Sequence, residues 1–322
     1  MAYSFLVTRS IPAVGLELLQ KGGSVKVNPY DRSMTPEELL VAAKDCDGIL
    51  AMLTDNIDAA FLDQCPRLKA ISNYAVGYNN IDVLECTRRG IGVSNTPDVL
   101  TNATAEIAFG LMLACARRVV EADGFVRAGQ WRGWAPLDFR GLDVVGKVLG
   151  IIGAGRIGLR VAKMAAGFDM PVRYFSRTAH REFDLIGAVR VSLEELLRQA
   201  DFVSLHAPLT EQTHHIIGEK QLAMMKSTAI LINTARGPLV DEQALVEALR
   251  QNRIYAAGLD VFEREPALHP GLRDLHNVVL LPHIGSATVC TRGRMAEMAA
   301  ADLLAMTAGK RPMHAVNPQR WT

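Results

Sequence analysis

The stretch "VLGIIGAGRIGLRVA", residues 148–162, joins an apolar run to a segment with helical periodicity. Residues 148–152 are apolar apart from one glycine and have the length of a buried strand. After the glycines, apolar side chains recur at Ile157, Val161 and Met164, which is the spacing of one helix face. The stretch therefore predicts a strand, a glycine-rich turn and a helix, in that order.

The glycines of this turn have the G-x-G-x-x-G spacing of dinucleotide-binding turns. In that setting Gly153 permits the tight turn, and Gly155 lets main-chain N–H groups approach a pyrophosphate. Gly158 lets the helix pack closely against the strand. We therefore expect a dinucleotide pyrophosphate at the positive end of the helix.

The segment "VRYFSRTAH", residues 172–180, follows where such a site meets the ribose of its cofactor. An NAD site usually has an Asp or Glu there, about 20 residues after the glycines. Here the second predicted strand is followed by Ser176, Arg177 and Thr178, with no carboxylate. A guanidinium with two neighbouring hydroxyls suits a 2′-phosphate, so we predict that NADP(H) is preferred over NAD(H). The alternative is an exposed loop with no role in binding.

The length and composition of the chain restrict its class. A chain of 322 residues has room for two domains, and its net charge of +1 gives no extended basic face for nucleic acid. The most apolar segment, residues 107–116, is too short to cross a membrane and is followed by Arg117 and Arg118. We expect a globular protein that binds neither nucleic acid nor a membrane.

The N-terminal residues and the cysteines bear on the compartment. The start, "MAYSFLVTRS", lacks the basic and apolar regions of a signal peptide. The five cysteines are scattered and form no C-x-x-C pair, which is typical of free thiols in a reducing environment. We expect a cytoplasmic location.

Strand-like and helix-like runs alternate in two parts of the chain, which is typical of parallel α/β units. The first part extends to about residue 98, and the second begins at Val148. Between them the pattern predicts a helix over about 102–121 and then a long irregular connection over 129–147 that contains Trp131 and Trp134.

Two other motifs lead to weaker interpretations. The run "GLDVVGKV", residues 141–148, has Val148 where a nucleotide-hydrolysing P-loop needs Ser or Thr, and it precedes a strand instead of following one. His214 and His215 are adjacent but have no acidic or cysteine partner near them in sequence, so we expect solvent-facing side chains and no metal site.

Four side chains suited to acid–base chemistry follow predicted strands of the second part. Arg236 comes after "LIN", and His283 follows "VVLL". Asp260 directly follows "AAGL", with Glu265 shortly after it. Singly, each has an ordinary structural explanation. Because ligands of doubly wound sheets bind at the carboxyl ends of the strands, the group predicts carboxylate binding with acid–base catalysis.

Several motifs in one order resemble the D-isomer-specific 2-hydroxyacid dehydrogenase family, and within it the glyoxylate and hydroxypyruvate reductases. The resemblance extends over essentially the whole chain. Besides the glycine-rich turn, its motifs are "YAVGYNNID" at 74–82, "ATAEIAFGLMLACAR" at 103–117, "LHAPLTEQT" at 205–213, "INTARGPLVDE" at 232–242, "GLDVFEREP" at 258–266 and "LLPHIGSAT" at 280–288.

The resemblance implies an α/β protein with two doubly wound parallel-sheet domains. A Rossmann-type NADP-binding domain, residues 101–288, would be inserted in a flavodoxin-like substrate domain made of residues 1–100 and 289–322. It further implies a homodimer that reduces a small 2-oxoacid, glyoxylate or hydroxypyruvate, to the D-2-hydroxyacid by hydride transfer from the cofactor.

The family's catalytic roles carry over to residues present here. Arg236 would bind the substrate carboxylate and polarise the 2-oxo group, together with main-chain N–H groups of Val76 and Gly77. His283 would donate the proton, and Glu265 would orient the imidazole and keep it protonated near neutral pH. The resemblance assigns further cofactor contacts to Arg156 and Ile157 at the pyrophosphate, to His206, Pro208 and Thr213 at the adenosine, and to Thr234, Asp260 and Gly285 at the nicotinamide.

The segment "AMLTDNID", residues 51–58, resembles the substrate loop of these reductases and would place Leu53 at the C3 end of the bound acid. Either Trp131 or Trp134 would donate its indole N–H to the substrate across the dimer, or both would simply pack within the arm that carries them.

The chain departs from the family pattern in one segment, where Ala75 and Asn79 replace the usual glycine and aspartate. This departure affects the expected fit of the substrate. Val76 stands where a phosphite dehydrogenase would have lysine, which argues against that substrate. Two alternatives stay open: a reductase of another 2-oxoacid, and a corepressor that senses nucleotides through the same fold.

Overall fold

The computed structural model describes residues 3–321, and the chain folds into two compact units. One unit runs to Leu100 and resumes at Ser286, while the other is Thr101–Gly285. The chain therefore returns to the first unit at Ser286, shortly before residue 289, the boundary that the resemblance gives. The chain leaves the first unit once and returns to it near the C-terminus.

The first unit contains a parallel sheet of five strands. Its spatial order is β2-β1-β3-β4-β5, in which the order reverses between the first and third strands of the chain, as in flavodoxin-like folds. The strands are β1 (Tyr3–Val7), β2 (Gly23–Val27), β3 (Gly48–Ala51), β4 (Ala70–Asn73) and β5 (Gly92–Ser94).

Short helices connect these strands, and polar side chains define where they begin. Thr35 accepts a hydrogen bond from the Glu38 N–H while Glu38 reaches back to the Thr35 N–H, which forms a capping box. Asp58 and Asp82 cap the next two helices with their side-chain oxygens. The helices are α1 (Ala13–Gln20), α2 (Pro36–Ala43), α3 (Ala59–Asp63) and α4 (Val83–Arg88).

The second unit contains a parallel sheet of seven strands between layers of helices. In chain order its elements are α5 (Thr101–Ala116), α6 (Val119–Arg127), β6 (Leu149–Ile152), α7 (Arg156–Ala165), β7 (Val172–Phe175), α8 (Arg181–Asp184), β8 (Val189–Arg190), α9 (Leu193–Gln199), β9 (Phe202–Leu205), α10 (Glu219–Met224), β10 (Ile230–Asn233), α11 (Glu242–Arg250), β11 (Ala256–Leu259) and β12 (Val278–Leu280).

The strand order of the second sheet is β12-β11-β10-β9-β6-β7-β8, which reverses between β6 and β9. Such a reversal is the position where doubly wound sheets bind ligands, at the carboxyl ends of the strands. Strands β6, β9, β10 and β11 are buried along their whole length because helices cover both faces. The two parallel sheets confirm the predicted α/β fold with two doubly wound domains.

After the second crossing, a long helix, α12 (Val289–Thr307), completes the first unit. Ala296, Ala299, Leu303 and Met306 on this helix are buried with Phe5, Leu50 and other residues of the first sheet and of α1. The N- and C-terminal parts of the chain thus share one core.

The helix predicted over 102–121 is wrong in its extent. The structure has α5 and α6 instead, which are separated at Arg118. Arg118 has a φ of 52°, a left-handed conformation that ends one helix and redirects the chain, and its guanidinium then binds Glu121 in the first turn of α6. Within residues 3–321 the structure contains no helix of sufficient length and apolarity to span a membrane.

Candidate active site

The glycine-rich turn between β6 and α7 is shaped by close main-chain contacts. Gly153 has a φ of +102°, and a Cβ there would lie 2.5 Å from the Ala207 nitrogen. A Cβ on Gly158 would lie 2.4 Å from the Gly153 oxygen, so the helix approaches the turn more closely than any side chain allows. Gly155 instead faces open space, with no atom within 4 Å of the added Cβ.

The amino end of α7 has the geometry of an anion site, and the pyrophosphate there stays a prediction. The helix begins at Arg156, and Gly155 caps it without any side-chain hydrogen bond. The first main-chain N–H groups of a helix, such as that of Ile157 here, have no acceptor within the helix itself. Together with the helix dipole, they favour a pyrophosphate over the open face of Gly155.

The loop after β7 is braced by an arginine that the sequence alone did not indicate. Arg190 on β8 donates to the Ser176 carbonyl at 3.0 Å and to the Arg177 carbonyl at 2.8 Å. Ser176 donates in turn to the Thr178 carbonyl at 2.5 Å. The Arg177 side chain is exposed, so a second guanidinium holds the main chain from which this cation extends.

On the other side of the turn, the chain after β9 forms a compact polar loop. The His206 N–H donates to the Ile152 carbonyl at 2.7 Å, and its Nε2 lies 2.9 Å from the Ser204 hydroxyl. Burial lowers the pKa of His206 to about 3, so its ring is neutral at physiological pH. The Thr213 hydroxyl donates to the Pro208 carbonyl at 2.7 Å and closes the loop. A neutral ring and a closed loop suit a flat base better than a phosphate.

Arg236 lies in a turn directly after β10. The Asn233 side chain closes this turn, because it donates to the Arg236 carbonyl at 2.9 Å and accepts from the Ala235 N–H at 3.0 Å. The Arg236 guanidinium donates to the Ala235 carbonyl at 2.7 Å, and burial lowers its pKa from a very high ordinary value. Because arginine stays protonated in proteins, a fixed, poorly hydrated cation results.

A buried hydroxyl lies in the same turn. Thr234 is 8% exposed, and its Oγ1 has no hydrogen-bond partner among the described residues. A buried polar atom without a partner costs free energy, on the order of 1–3 kcal/mol for a hydroxyl. The turn thus has an unused hydrogen-bonding group at the position where the resemblance places the nicotinamide.

Glu265 and His283 form a hydrogen-bonded pair. Glu265 Oε2 lies 2.8 Å from His283 Nδ1, and Glu265 Oε1 accepts from the Phe262 N–H at 3.0 Å. Burial opposes ionisation of Glu265. The hydrogen bond and charge of His283, with smaller contributions from the Phe262 N–H and Arg236, nevertheless hold the pKa of Glu265 below its ordinary value. The ionised carboxylate only accepts, so Nδ1 is the donor and Nε2 is the nitrogen left for a ligand.

The main chain at His283 is held by the carboxylate of Asp260. Asp260 is 1% exposed, and its two oxygens accept from the N–H groups of Ile284 and Gly285, each at 2.7 Å. Burial raises the pKa of Asp260, although these two main-chain donors oppose the shift. His283 itself has a φ of +55°, and this clamp fixes the chain directly after it. The oxygens retain further lone pairs for a ligand.

The second unit therefore brings Arg236, Glu265 and His283 together, as the strand-end positions led us to expect. Leu53, Val76 and Gly77 belong to the first unit, where side-chain amides hold the main chain at or beside them. Asn95 and Asn73 donate to the Val76 and Gly77 carbonyls, both at 2.7 Å, and so orient these peptide groups.

The same network reaches the turn that carries Leu53. Asn80 donates to the carbonyls of Met52 and Asp55, at 3.1 and 3.0 Å, and exchanges hydrogen bonds with Asn73. The Met52 N–H also donates to the Asp55 carboxylate at 2.7 Å. The two loops that the resemblance assigns to the substrate are therefore coupled through Asn80, a role that the sequence alone did not indicate.

The expectation for the adjacent histidines needs correction. His214 is exposed, but His215 is half-buried, and its Nε2 is hydrogen-bonded to the Glu263 carboxylate. Glu263 is remote in sequence, and the fold brings it to His215 because both lie beyond the carboxyl ends of strands in the same sheet. Among the described residues no group of three or more His, Cys, Asp or Glu side chains is arranged to hold a metal ion.

Comparisons with known proteins agree with this geometry. Residues 109–285 match the family model described as D-isomer specific 2-hydroxyacid dehydrogenase, NAD binding domain. The chain is 50% identical over 318 residues to a glyoxylate reductase from Thermococcus gammatolerans, and the match covers 97% of this chain and 95% of that protein.

Solved structures give the same result. A protein from Thermus thermophilus has a TM-score of 0.92 and 45% identity, covering 97% of this chain and 99% of that one. An NADPH-dependent glyoxylate/hydroxypyruvate reductase from Sinorhizobium meliloti, solved with NADP and malonate, has a TM-score of 0.87 and 32% identity, covering 99% and 98%.

Proposed function

The chain belongs to the D-isomer-specific 2-hydroxyacid dehydrogenase family, and we propose that within this family it is an NADPH-dependent reductase of glyoxylate and hydroxypyruvate. The observation that carries the proposal is the Glu265–His283 pair, with the Arg236 cation near its carboxylate. These are an acid–base group and an anion-binding group, which reduction of a 2-oxoacid requires. The relative from Thermococcus is named for glyoxylate reduction, which supports the choice of substrate.

The three side chains divide the chemistry of the substrate. Arg236 binds the carboxylate and polarises the adjacent 2-oxo group, because its guanidinium offers several donors in one plane. The cofactor supplies a hydride to the 2-oxo carbon when it is bound. His283 donates the proton from Nε2 to the oxygen, so that the carbonyl becomes a hydroxyl.

Glu265 prepares the proton donor in two ways. Its hydrogen bond to Nδ1 fixes the imidazole ring so that Nε2 is presented to the substrate. Its negative charge stabilises the imidazolium, which is the form that can donate. Because folding lowers the pKa of Glu265, the carboxylate is ionised throughout the neutral range, and its contribution to stability is lost as the pH falls through that lowered value.

The residues present fit a dinucleotide with a 2′-phosphate. The open face of Gly155 and the amino end of α7 would hold the pyrophosphate, and the unpartnered Thr234 hydroxyl lies in the turn assigned to the nicotinamide. Arg177 would bind the 2′-phosphate, while Arg190 holds the loop main chain beneath it. We infer NADP(H) over NAD(H) on this basis.

We also propose a homodimer formed through the segment after α5, residues 117–148. This segment exposes large apolar side chains, with Trp134 86% exposed and Trp131 60% exposed. A monomer with so much exposed apolar surface would tend to associate. A second copy of the chain is the expected partner, and one of the two indoles would then reach the C3 hydroxyl of hydroxypyruvate. The other large apolar residues exposed between α5 and β6 are Val119, Val120, Val126, Leu137 and Val145.

The first prediction concerns the substrate. The resemblance assigns Leu53 to the C3 end of the bound acid, where it would leave no room for a branched or aromatic tail. We therefore expect kcat/KM to rank hydroxypyruvate and glyoxylate above pyruvate, and all three well above phenylpyruvate. Decay of NADPH absorbance with a panel of 2-oxoacids measures this ranking. Phenylpyruvate as the best substrate would contradict the small site, and no decay with any 2-oxoacid would contradict the reductase itself.

The second prediction concerns the proton donor. His283→Ala should lower kcat about 10²- to 10⁴-fold with little change in KM, because the proton moves only in the transition state. Arg236→Ala should raise KM and lower kcat together. His276→Ala, at a histidine of the same unit outside the candidate site, is the matched control and should stay near the wild-type rate. Near-normal turnover by His283→Ala would show that another group donates the proton.

The third prediction separates the cofactors. Arg177→Ala should weaken NADPH binding about ten- to more than a hundredfold and leave NADH binding nearly unchanged, because only NADPH carries the 2′-phosphate. Fluorescence titration measures both dissociation constants, and Arg198→Ala, at an exposed arginine on α9, is the control. Equal losses for both cofactors would make Arg177 structural, and a wild-type preference for NADH would refute the cofactor proposal.

The fourth prediction concerns assembly. Sedimentation velocity at micromolar concentration should show a dimer, because the exposed apolar segment after α5 needs a partner. Replacing the exposed Val126 with Asp should shift the equilibrium towards monomer, whereas the same change at the exposed Val41 of the first unit should not. A wild-type protein that sediments only as a monomer would contradict the proposal.

A further inference from the structure

Glu242 is a buried carboxylate to which the chemistry described above assigns no part. It is the first residue of α11, and only 5% of its surface is exposed. Burying an ionisable side chain costs free energy unless partners satisfy its oxygens. The partners of Glu242 are therefore informative.

Both oxygens of Glu242 accept from main-chain groups of a single remote segment. Oε1 accepts from the Glu263 N–H at 2.7 Å, and Oε2 accepts from the His269 N–H at 3.3 Å. These donors are the two ends of residues 263–269, and Glu265 lies between them. One carboxylate thus holds both ends of the segment that carries the partner of His283.

Between these two ends the segment folds back on itself. Arg264 and Ala267 form an isolated antiparallel bridge, with the Ala267 N–H donating to the Arg264 carbonyl at 2.8 Å. The Glu265 carboxylate turns back to the Phe262 N–H at 3.0 Å and reaches His283 with its other oxygen. Glu265 therefore projects from a short loop whose base is fixed from outside by Glu242.

The ordinary function of an acidic residue at a helix start is already supplied by its neighbour. Asp241 is the N-cap of α11 and accepts from the Ala244 N–H at 3.0 Å. An exposed Glu242 carboxylate would interact with the helix dipole equally well. Its carboxylate is instead buried against residues 263–269, so helix capping does not account for its position.

The charged groups around Glu242 are few. Burial raises the pKa of Glu242, the Glu263 and His269 main-chain donors oppose the shift, and the carboxylate of Glu263 adds to it while the His269 ring lowers it. The Glu263 carboxylate is itself hydrogen-bonded to the ring of His215. The donors to Glu242 are thus mainly peptide groups, as expected of a clamp on the main chain.

We propose that Glu242 is a positioning residue for the proton donor: it holds residues 263–269 so that Glu265 stays within hydrogen-bonding distance of His283. The proposal rests on the proposed function, because it needs Glu265 and His283 to act on a 2-oxoacid. Glu242 is not among the residues assigned to the substrate or the cofactor, and its hydrogen bonds go to the main chain of residues 263–269.

The test begins with Glu242→Gln, which keeps the shape and one acceptor but turns an NH2 group towards one of the two N–H donors. The kcat for glyoxylate reduction should fall about five- to thirtyfold, which is less than the full loss of a hydrogen bond to a charged group because the effect reaches His283 only through Glu265. The NADPH dissociation constant should stay within about twofold, because the phosphate turn lies elsewhere. Glu247→Gln, at an exposed glutamate of the same helix, is the control and should be unchanged.

The pH profile distinguishes positioning from general stabilisation. Glu265→Gln removes the carboxylate that stabilises the imidazolium, so the alkaline limb of the reduction profile should move to lower pH. Glu242→Gln should move it in the same direction by a smaller amount. Glu242→Asp keeps the charge on a shorter side chain and should recover part of both effects, which also tests the proposal if Glu242→Gln folds poorly.

The double variant gives the decisive comparison. If Glu242 acts through Glu265, then Glu242→Gln combined with Glu265→Gln should be about as slow as Glu265→Gln alone. The proposal would be overturned if the losses in kcat of the two single variants multiplied in the double variant. It would also be overturned if Glu242→Gln had the wild-type rate and pH profile. Either result would leave the proposed function intact. A wild-type protein that reduces no 2-oxoacid would overturn both.

Discussion

The candidate site depends on one close main-chain contact, that of Gly237 with Phe262. A Cβ on Gly237 would lie 1.8 Å from the Phe262 carbonyl carbon, so only glycine is tolerated there. The contact presses the turn after β10 against the segment after β11. Arg236 and Glu265 adjoin this contact, one on each side, and their opposite charges are therefore brought near each other in a half-buried site.

This contact concentrates ionisable groups where hydration is poor, and the main chain compensates. Asp260 binds two peptide N–H groups and Glu242 binds two more, so neither buried carboxylate needs a cation. The two carboxylates are therefore held by peptide groups, and His283 is paired with Glu265. Hydrogen bonds to charged groups contribute about 1.5–3 kcal/mol each, which is enough to offset much of the cost of burial.

The parts of the site that could be predicted are those set by local sequence. The glycine-rich turn and the residues after strands follow from periodicity and from the rule that strand ends of a parallel sheet meet. Arg190 and Glu242 were not predictable, because their partners lie 14 and 21 residues away and are main-chain groups without a sequence signature. The helix break at Arg118 was missed for another reason: a non-glycine residue in a left-handed conformation leaves no composition signal.

The return of the chain to the first unit has a consequence for its biosynthesis. The first sheet is covered on one side by α12, whose buried residues, such as Leu303 and Met306, are translated only after the whole inserted unit. At about 5–20 residues per second, the ribosome needs roughly 10 to 40 s to make the inserted unit. For that interval an apolar face of the first sheet stays uncovered, and the inserted unit is complete first. We expect chaperones to engage nascent chains at this stage.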